Sequence, residues 1–79
     1  MDMRALVGGN VMRIRLAKKL SQEELGARSG FNQHYISELE AGKRNPTIIS
    51  LYNIAQGLGV SPVDLVTPVD LKKIKRKAK

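Results

Sequence analysis

Apolar residues recur along the chain at three- and four-residue spacing, and no stretch alternates apolar with polar for long, so the pattern predicts helices throughout. Val7, Val11, Ile14 and Lys18 form the first stripe, which ends on a lysine stem and has Arg13 and Arg15 flanking Ile14. It predicts a helix from about Val7 to Lys19. The residues Met1-Asp2-Met3-Arg4 read as a lead-in to a short apolar stretch broken by Gly8-Gly9, not as a signal peptide. Ser21-Gln22-Glu23-Glu24 has the form of a capping box, in which Ser21 accepts from the third helical amide and Glu24 reaches back. A short helix follows from Gln22 to about Arg28 with Leu25 inward, and Gly30 offers a left-handed stop.

Asn32 is the next good N-cap, for a helix from Gln33 to about Ala41. That helix has Ile36, Leu39 and Glu40 on one side and Gln33, His34, Ser37 and Glu38 on the other. Gly42 ends it, and Lys43-Arg44-Asn45-Pro46 makes a loop. Thr47 caps a fourth helix with Ile48, Leu51, Ile54, Ala55 and Leu58 at core spacing, stopped by Gly59. Ser61-Pro62-Val63-Asp64 is a second capping box with proline at the first helical position. This fifth helix reaches about Val66, before Thr67-Pro68 breaks it. The expected fold class is therefore all-α, with five short helices.

Seventy-nine residues suffice for one small domain, and a chain this short buries only about 60–65% of the surface its unfolded form exposes. No cysteine is present, so neither a disulfide nor a thiolate metal site is available, and the single histidine, His34, makes a histidine-ligated metal unexpected. No cofactor is expected. No run approaches the roughly 18–20 apolar residues of a membrane span, so a cytoplasmic location follows.

The formal charge is +7, which favours an anionic partner. It is placed unevenly. Residues 72–79 hold six of the 14 basic groups and no acid, which leaves eight basic against seven acidic residues before them. We divide the chain accordingly into a domain of residues 1–71 and a basic tail of residues 72–79. The tail reads as a nonspecific DNA-binding arm, a binder of acidic surfaces, or a disordered solubilising end. Within the body, any case for DNA binding rests on specific positions.

Two short helices joined by a glycine-containing turn, here residues 29–32, are the mark of a helix-turn-helix. Leu20-Ser21-Gln22-Glu23-Glu24-Leu25, Gly30, Tyr35-Ile36-Ser37-Glu38-Leu39-Glu40 and Gly42-Lys43-Arg44-Asn45-Pro46-Thr47 follow at fixed intervals, then Leu51, Ile54-Ala55 and Leu58-Gly59-Val60-Ser61. Taken together, these residues resemble the lambda-repressor-like, Cro-type (XRE) family of helix-turn-helix regulators, from about Val7 to Val66. Two positions depart from the family pattern. Gly26 stands where alanine is usual, at a cost of about 1 kcal/mol in helix propensity but with room for close approach. Lys19 stands where glycine is common before Leu20, which implies a tighter or slightly different turn.

The resemblance implies that the third helix enters the major groove of double-stranded DNA, with its N-terminal side chains at the base edges. Gln33 has the groups to pair bidentately with adenine, while His34 and Ser37 can donate or accept at several edges. Glu38 accepts from cytosine, is a plain surface acid, or orients a neighbour such as Arg44. Gln22, at a helix N-terminus, would bond the DNA backbone and brace Gln33. Asn32 is first an N-cap and second a DNA contact. Tyr35 either faces the DNA backbone or packs over the turn. Lys43 and Arg44 would meet phosphates. Arg15 and Glu40 match the family's internal ion pair.

One recognition helix reads few base pairs, so the resemblance further implies a homodimer on a pseudo-palindromic operator. Ile49, Val60, Val63 and Val66 are spare apolar residues on the fourth and fifth helices, and they make these two helices the expected dimer surface. The settings that fit are a phage-type repressor, a restriction–modification controller and an antitoxin-type autoregulator with a protein toxin as partner. Asn45-Pro46-Thr47-Ile48 and Tyr35-Ile36-Ser37 resemble controller proteins. An enzyme is not expected, because Glu23, Glu24, Glu38 and Glu40 have capping, surface or ion-pair roles and His34 lacks a catalytic partner.

Overall fold

The computed structural model describes residues 2–69, so the basic tail of residues 72–79 lies outside the described residues. Five helices follow one another: α1 (Met3–Ala17), α2 (Gln22–Ser29), α3 (Gln33–Glu40), α4 (Ile48–Leu58) and α5 (Pro62–Val66). The local signals act where the sequence puts them. Glu24 accepts from the Ser21 amide at 2.8 Å while the Ser21 hydroxyl accepts from the Glu24 amide at 2.9 Å. The Ser21 amide above all, and its hydroxyl next, hold the Glu24 carboxyl below its ordinary range. Asn32 and Thr47 cap α3 and α4 through the amides of Tyr35 and Ser50. Asp64 closes back on the Ser61 amide at 3.1 Å. Gly30 and Gly59 end α2 and α4 in the left-handed conformation.

The first helix differs from the expectation at both ends. It begins at Met3, because Asp2 accepts from the amides of Arg4 and Ala5 at 3.0 and 3.3 Å and so caps it before the apolar stripe starts. It runs unbroken through Gly8 and Gly9. It stops at Ala17, and Lys18 is exposed, so the stripe's last expected member does not reach the core. Leu20 takes that place and is buried.

Lys19 makes the stop. Its φ is 59°, a left-handed conformation that costs a residue with a β-carbon about 1–2 kcal/mol. The turn still closes, with the Leu20 amide donating to the Arg15 carbonyl at 3.0 Å. The turn thus keeps the shape a glycine favours while a lysine occupies it. Lys19→Gly should relieve the strain and lose part of the gain to glycine's greater unfolded-state entropy, a net stabilisation of about 0.5–1 kcal/mol. Urea denaturation checks this, and the midpoint should rise.

The core joins all five helices. Val7, Val11 and Ile14 of α1 meet Leu25 of α2, Ile36 and Leu39 of α3, Ile54, Ala55 and Leu58 of α4, and Leu65 of α5. The first helix packs on α3 and α5, α2 packs on α3 and α4, and α4 packs on α5. Two contacts are tight enough to demand glycine. A β-carbon on Gly8 would lie 2.3 Å from the Leu39 carbonyl oxygen and 2.8 Å from that of Glu40. One on Gly26 would lie 2.5 Å from the Phe31 carbonyl oxygen, so the missing side chain lets the turn close against α2.

Two buried polar groups went unread in the sequence, Asn10 and Ser29. Asn10 is buried on α1, where its amide nitrogen donates to the carbonyls of Leu65 and Thr67, both at 3.0 Å. It supplies the partners that the end of α5 lacks within its own short helix. Among the described residues, no helix is long and apolar enough to cross a membrane.

Candidate nucleic-acid interface

The third helix is anchored by one face and bare on the other. Ile36 and Leu39 are fully buried, while Gln33, His34 and Ser37 are exposed. The Asn32 cap fixes the N-terminal end of that bare face, because its Oδ1 accepts from the Tyr35 amide at 2.8 Å. Tyr35 is half-buried. Its ring stacks on Phe31 in the turn at 4.4 Å between centroids and 16° between planes. The Arg44 guanidinium lies 4.7 Å from the centre of the Tyr35 ring, a cation–π contact that holds the arginine beside α3.

Glu38 lies between His34 and Arg44. Its carboxylate is 3.4 Å from His34 Nε2, one helical turn earlier, and 3.7 Å from Arg44 Nη1. Of the alternatives for Glu38, this geometry matches an acid that orients Arg44. The Lys43 amide donates to the Glu38 carbonyl at 2.9 Å, which fastens the start of the loop to α3. The loop and the start of α4 enclose an open polar hollow of about 360 Å³, lined by Tyr35, Lys43, Arg44, Asn45, Thr47 and Ser50. Asn45, Thr47 and Ser50 were not among the residues expected at the site. Only their sequence adjacence to Lys43 and Arg44 pointed that way.

Behind this face lies the ion pair. Arg15 Nε donates to Glu40 Oε2 at 2.6 Å and Nη2 to Oε1 at 3.0 Å, with Nη1 left to bond the Leu20 carbonyl at 2.8 Å. The two side chains are only 9% and 1% exposed. The hydrogen bonds that Arg15 donates to Glu40 raise its pKa, against the opposing effect of burial. Gln22 links the pair to the surface. Its Nε2 donates to Glu40 Oε1 at 3.0 Å, and its Oε1 accepts from Gln33 Nε2 at 3.2 Å. The brace between Gln22 and Gln33 was expected, whereas the bond from Gln22 to Glu40 was not.

The exposed apolar groups lie elsewhere. Ile49 (69% exposed), Val63 and Val66 stand on α4 and α5 as expected, but Val60 is half-buried against the core and is not spare. Ile48, expected at a core position, is instead 84% exposed because it is the first residue of α4, and Tyr52 and Met3 are exposed as well. Among the described residues, no three His, Cys, Asp or Glu side chains gather where they could hold a metal ion.

Comparison with known proteins places this architecture. The chain is 64% identical over 70 residues to the uncharacterized HTH-type transcriptional regulator y4dJ of Sinorhizobium fredii, covering 89% of this chain and 91% of that one. It is 39% identical over 66 residues to the control protein C.BamHI of Bacillus amyloliquefaciens, covering 82% of each. The crystal structure of the restriction–modification controller C.AhdI from Aeromonas hydrophila superposes with a TM-score of 0.76 at 32% identity, over 78% of this chain and 94% of that one. The helix-turn-helix family HTH_3 matches residues 11–65, from the middle of α1 to the end of α5. On this match and these relatives, the chain belongs to the HTH_3 helix-turn-helix family of transcriptional regulators.

Proposed function

We propose that the domain binds double-stranded DNA sequence-specifically as a homodimer, and that it regulates transcription in the manner of a restriction–modification controller. The observation that carries this is the bare face of α3. Gln33, His34 and Ser37 are exposed on a helix whose other side is locked into the core. A helix so presented fits the major groove, where Gln33 can pair with adenine and His34 and Ser37 can meet neighbouring edges. The hollow beside it combines Lys43 and Arg44 with the hydroxyls of Thr47 and Ser50. That combination suits a backbone phosphate, which positions the domain without reading sequence. Gln22 and Asn32, at the starts of α2 and α3, flank the same face.

The controller setting is supported by likeness to C.BamHI and C.AhdI, which are named as control and controller proteins. The dimer is supported by Ile48, Ile49, Tyr52, Val63 and Val66, exposed on a domain too small to leave so many apolar groups wet without cost. A cytoplasmic site of action goes with this function.

A division of labour tests the placement of α3. Gln33→Ala should cost about 1–3 kcal/mol on the best site and relax preference at one base position. Lys43→Ala should weaken all sequences alike and lower the slope of log K against log salt by about 0.9. Binding titrations on a preferred duplex and its single-base variants separate the two. Identical specificity profiles would mean that α3 does not read bases.

A further inference from the structure

The buried carboxylate of Glu40 does more than close an ion pair. A carboxylate accepts hydrogen bonds and donates none. Glu40 Oε1 lies 3.0 Å from the Gln22 amide, so Gln22 must turn its Nε2 inward and its Oε1 outward. An outward-facing oxygen can only accept, so Gln33, 3.2 Å away, must present Nε2 to it. Every donor in the row then points toward Glu40: Arg15 from one side, and Gln33 through Gln22 from the other. One N–H of Gln33 is used in the row. Its Oε1 and its second N–H remain available, and an amide oxygen with an amide N–H is the acceptor–donor pair that adenine N6 and N7 require.

We propose that Glu40, which is buried and out of reach of DNA, is a positioning residue for base reading, because its charge sets the direction of the relay through Gln22 and thereby the edge that Gln33 presents. The proposal rests on the reading of Gln33 as a base contact. It assigns to the ion pair a role in specificity as well as in folding. Were the acceptor at Glu40 lost, the Gln22 amide could flip, and Gln33 would spend its Oε1 on Gln22 instead of on a base. The phosphate contacts expected of Lys43 and Arg44 would be unaffected, since neither bonds Gln22 or Gln33.

The test measures base preference position by position, from binding titrations on a duplex selected with the wild-type protein and on its single-base variants. Four variants are needed, each shown to be helical by circular dichroism at low temperature. Gln33→Ala identifies the base pair that Gln33 reads, by loss of a preference of about tenfold. Gln22→Met cuts the relay and leaves the ion pair whole, with little change in helix propensity. Glu40→Met removes both acceptor oxygens at similar side-chain length. The double variant Arg15→Met/Glu40→Met replaces the whole pair with apolar groups, a change such pairs often tolerate, so the fold is kept if the single change is too costly.

Gln22→Met and the folded Glu40 variants should all lose preference at the base pair identified by Gln33→Ala, to within about threefold of indifference, and keep it at the other positions. Undiminished preference there in Gln22→Met, or in either folded Glu40 variant, would overturn the proposal while leaving Gln33 a base contact. If Gln33→Ala itself shifts no base position, the reading of α3 fails instead.

Discussion

Glu40→Ala should melt at least about 12 °C below the wild-type domain, and Glu38→Ala within a few degrees of it. The two acids are two residues apart on one helix, so the contrast isolates burial. The Glu40 side chain is 1% exposed and receives two hydrogen bonds from Arg15 and one from Gln22. Removing it leaves the Arg15 guanidinium buried without a counter-charge, at a cost of about 3–5 kcal/mol. A domain of this size holds roughly 4–12 kcal/mol in total. At about 4–8 °C per kcal/mol, the shift in Tm follows. Glu38 is a third exposed and its partners are an exposed histidine and an arginine at 3.7 Å. Pairs of that kind contribute about 0–1 kcal/mol. Equal melting curves for the two variants would mean that the ion pair carries no stability.

Gly8→Ala and Gly9→Ala should move stability in opposite directions, although they make the same chemical change at adjacent positions. Gly9 faces open space, so a methyl group there meets nothing and removes the flexibility of glycine from a helix interior. The gain is about 1 kcal/mol. At Gly8 the added carbon would sit 2.3 Å from one backbone carbonyl oxygen and 2.8 Å from another. Backbone atoms in a capped helix cannot swing aside as a side chain would. Either α1 lifts away from α3 or the end of α3 bends, and overpacking of this kind costs about 1–3 kcal/mol or more. The urea midpoint should therefore fall for Gly8→Ala and rise for Gly9→Ala. Because the oxygens belong to Leu39 and Glu40, Gly8→Ala should also disturb the ion pair.

These two cases mark where the sequence was readable. Helix starts were legible wherever the signal is local: Ser21 with Glu24, Asn32, Thr47, and Ser61 with Asp64 each lie within three residues of the amide they serve. Asp2 carries the same kind of signal, but it precedes an apolar stripe that begins only at Val7, so the helix it starts was placed too late. Gly8 and Asn10 could not be read, for a different reason. A glycine pair in an apolar stretch looks like a break, and an asparagine there looks like surface. Their meaning comes from carbonyls that lie more than 30 and 50 residues away and depend on how the helices cross. The pairing of Arg15 with Glu40 was available only through resemblance to a family, since nothing in the spacing of residues 25 apart requires it. Val60 was misread because an apolar residue just past a helix stop gives no local sign of which way it turns.

The bare face of α3 follows from the helical repeat once its ends are fixed, and so the exposure of Gln33, His34 and Ser37 was legible directly. The arrangement around them was legible only in part and through resemblance: the brace of Gln22 on Gln33, and Tyr35 over the turn as one of two readings. The bond from Gln22 to Glu40 is set by the packing of α2 against α3, and the stack of Tyr35 on Phe31 and of Arg44 over the Tyr35 ring by how the flanking turn and loop fold back on α3.

The most direct measurement is selection of bound duplexes from a random library with the wild-type protein, followed by footprinting of the winning sequence. Sequence-specific binding as a homodimer should yield two similar half-sites related by a two-fold axis, with centres about one helical turn, roughly 34 Å, apart. Both should be protected together. No enriched sequence, or a single unpaired half-site protected alone, would contradict it.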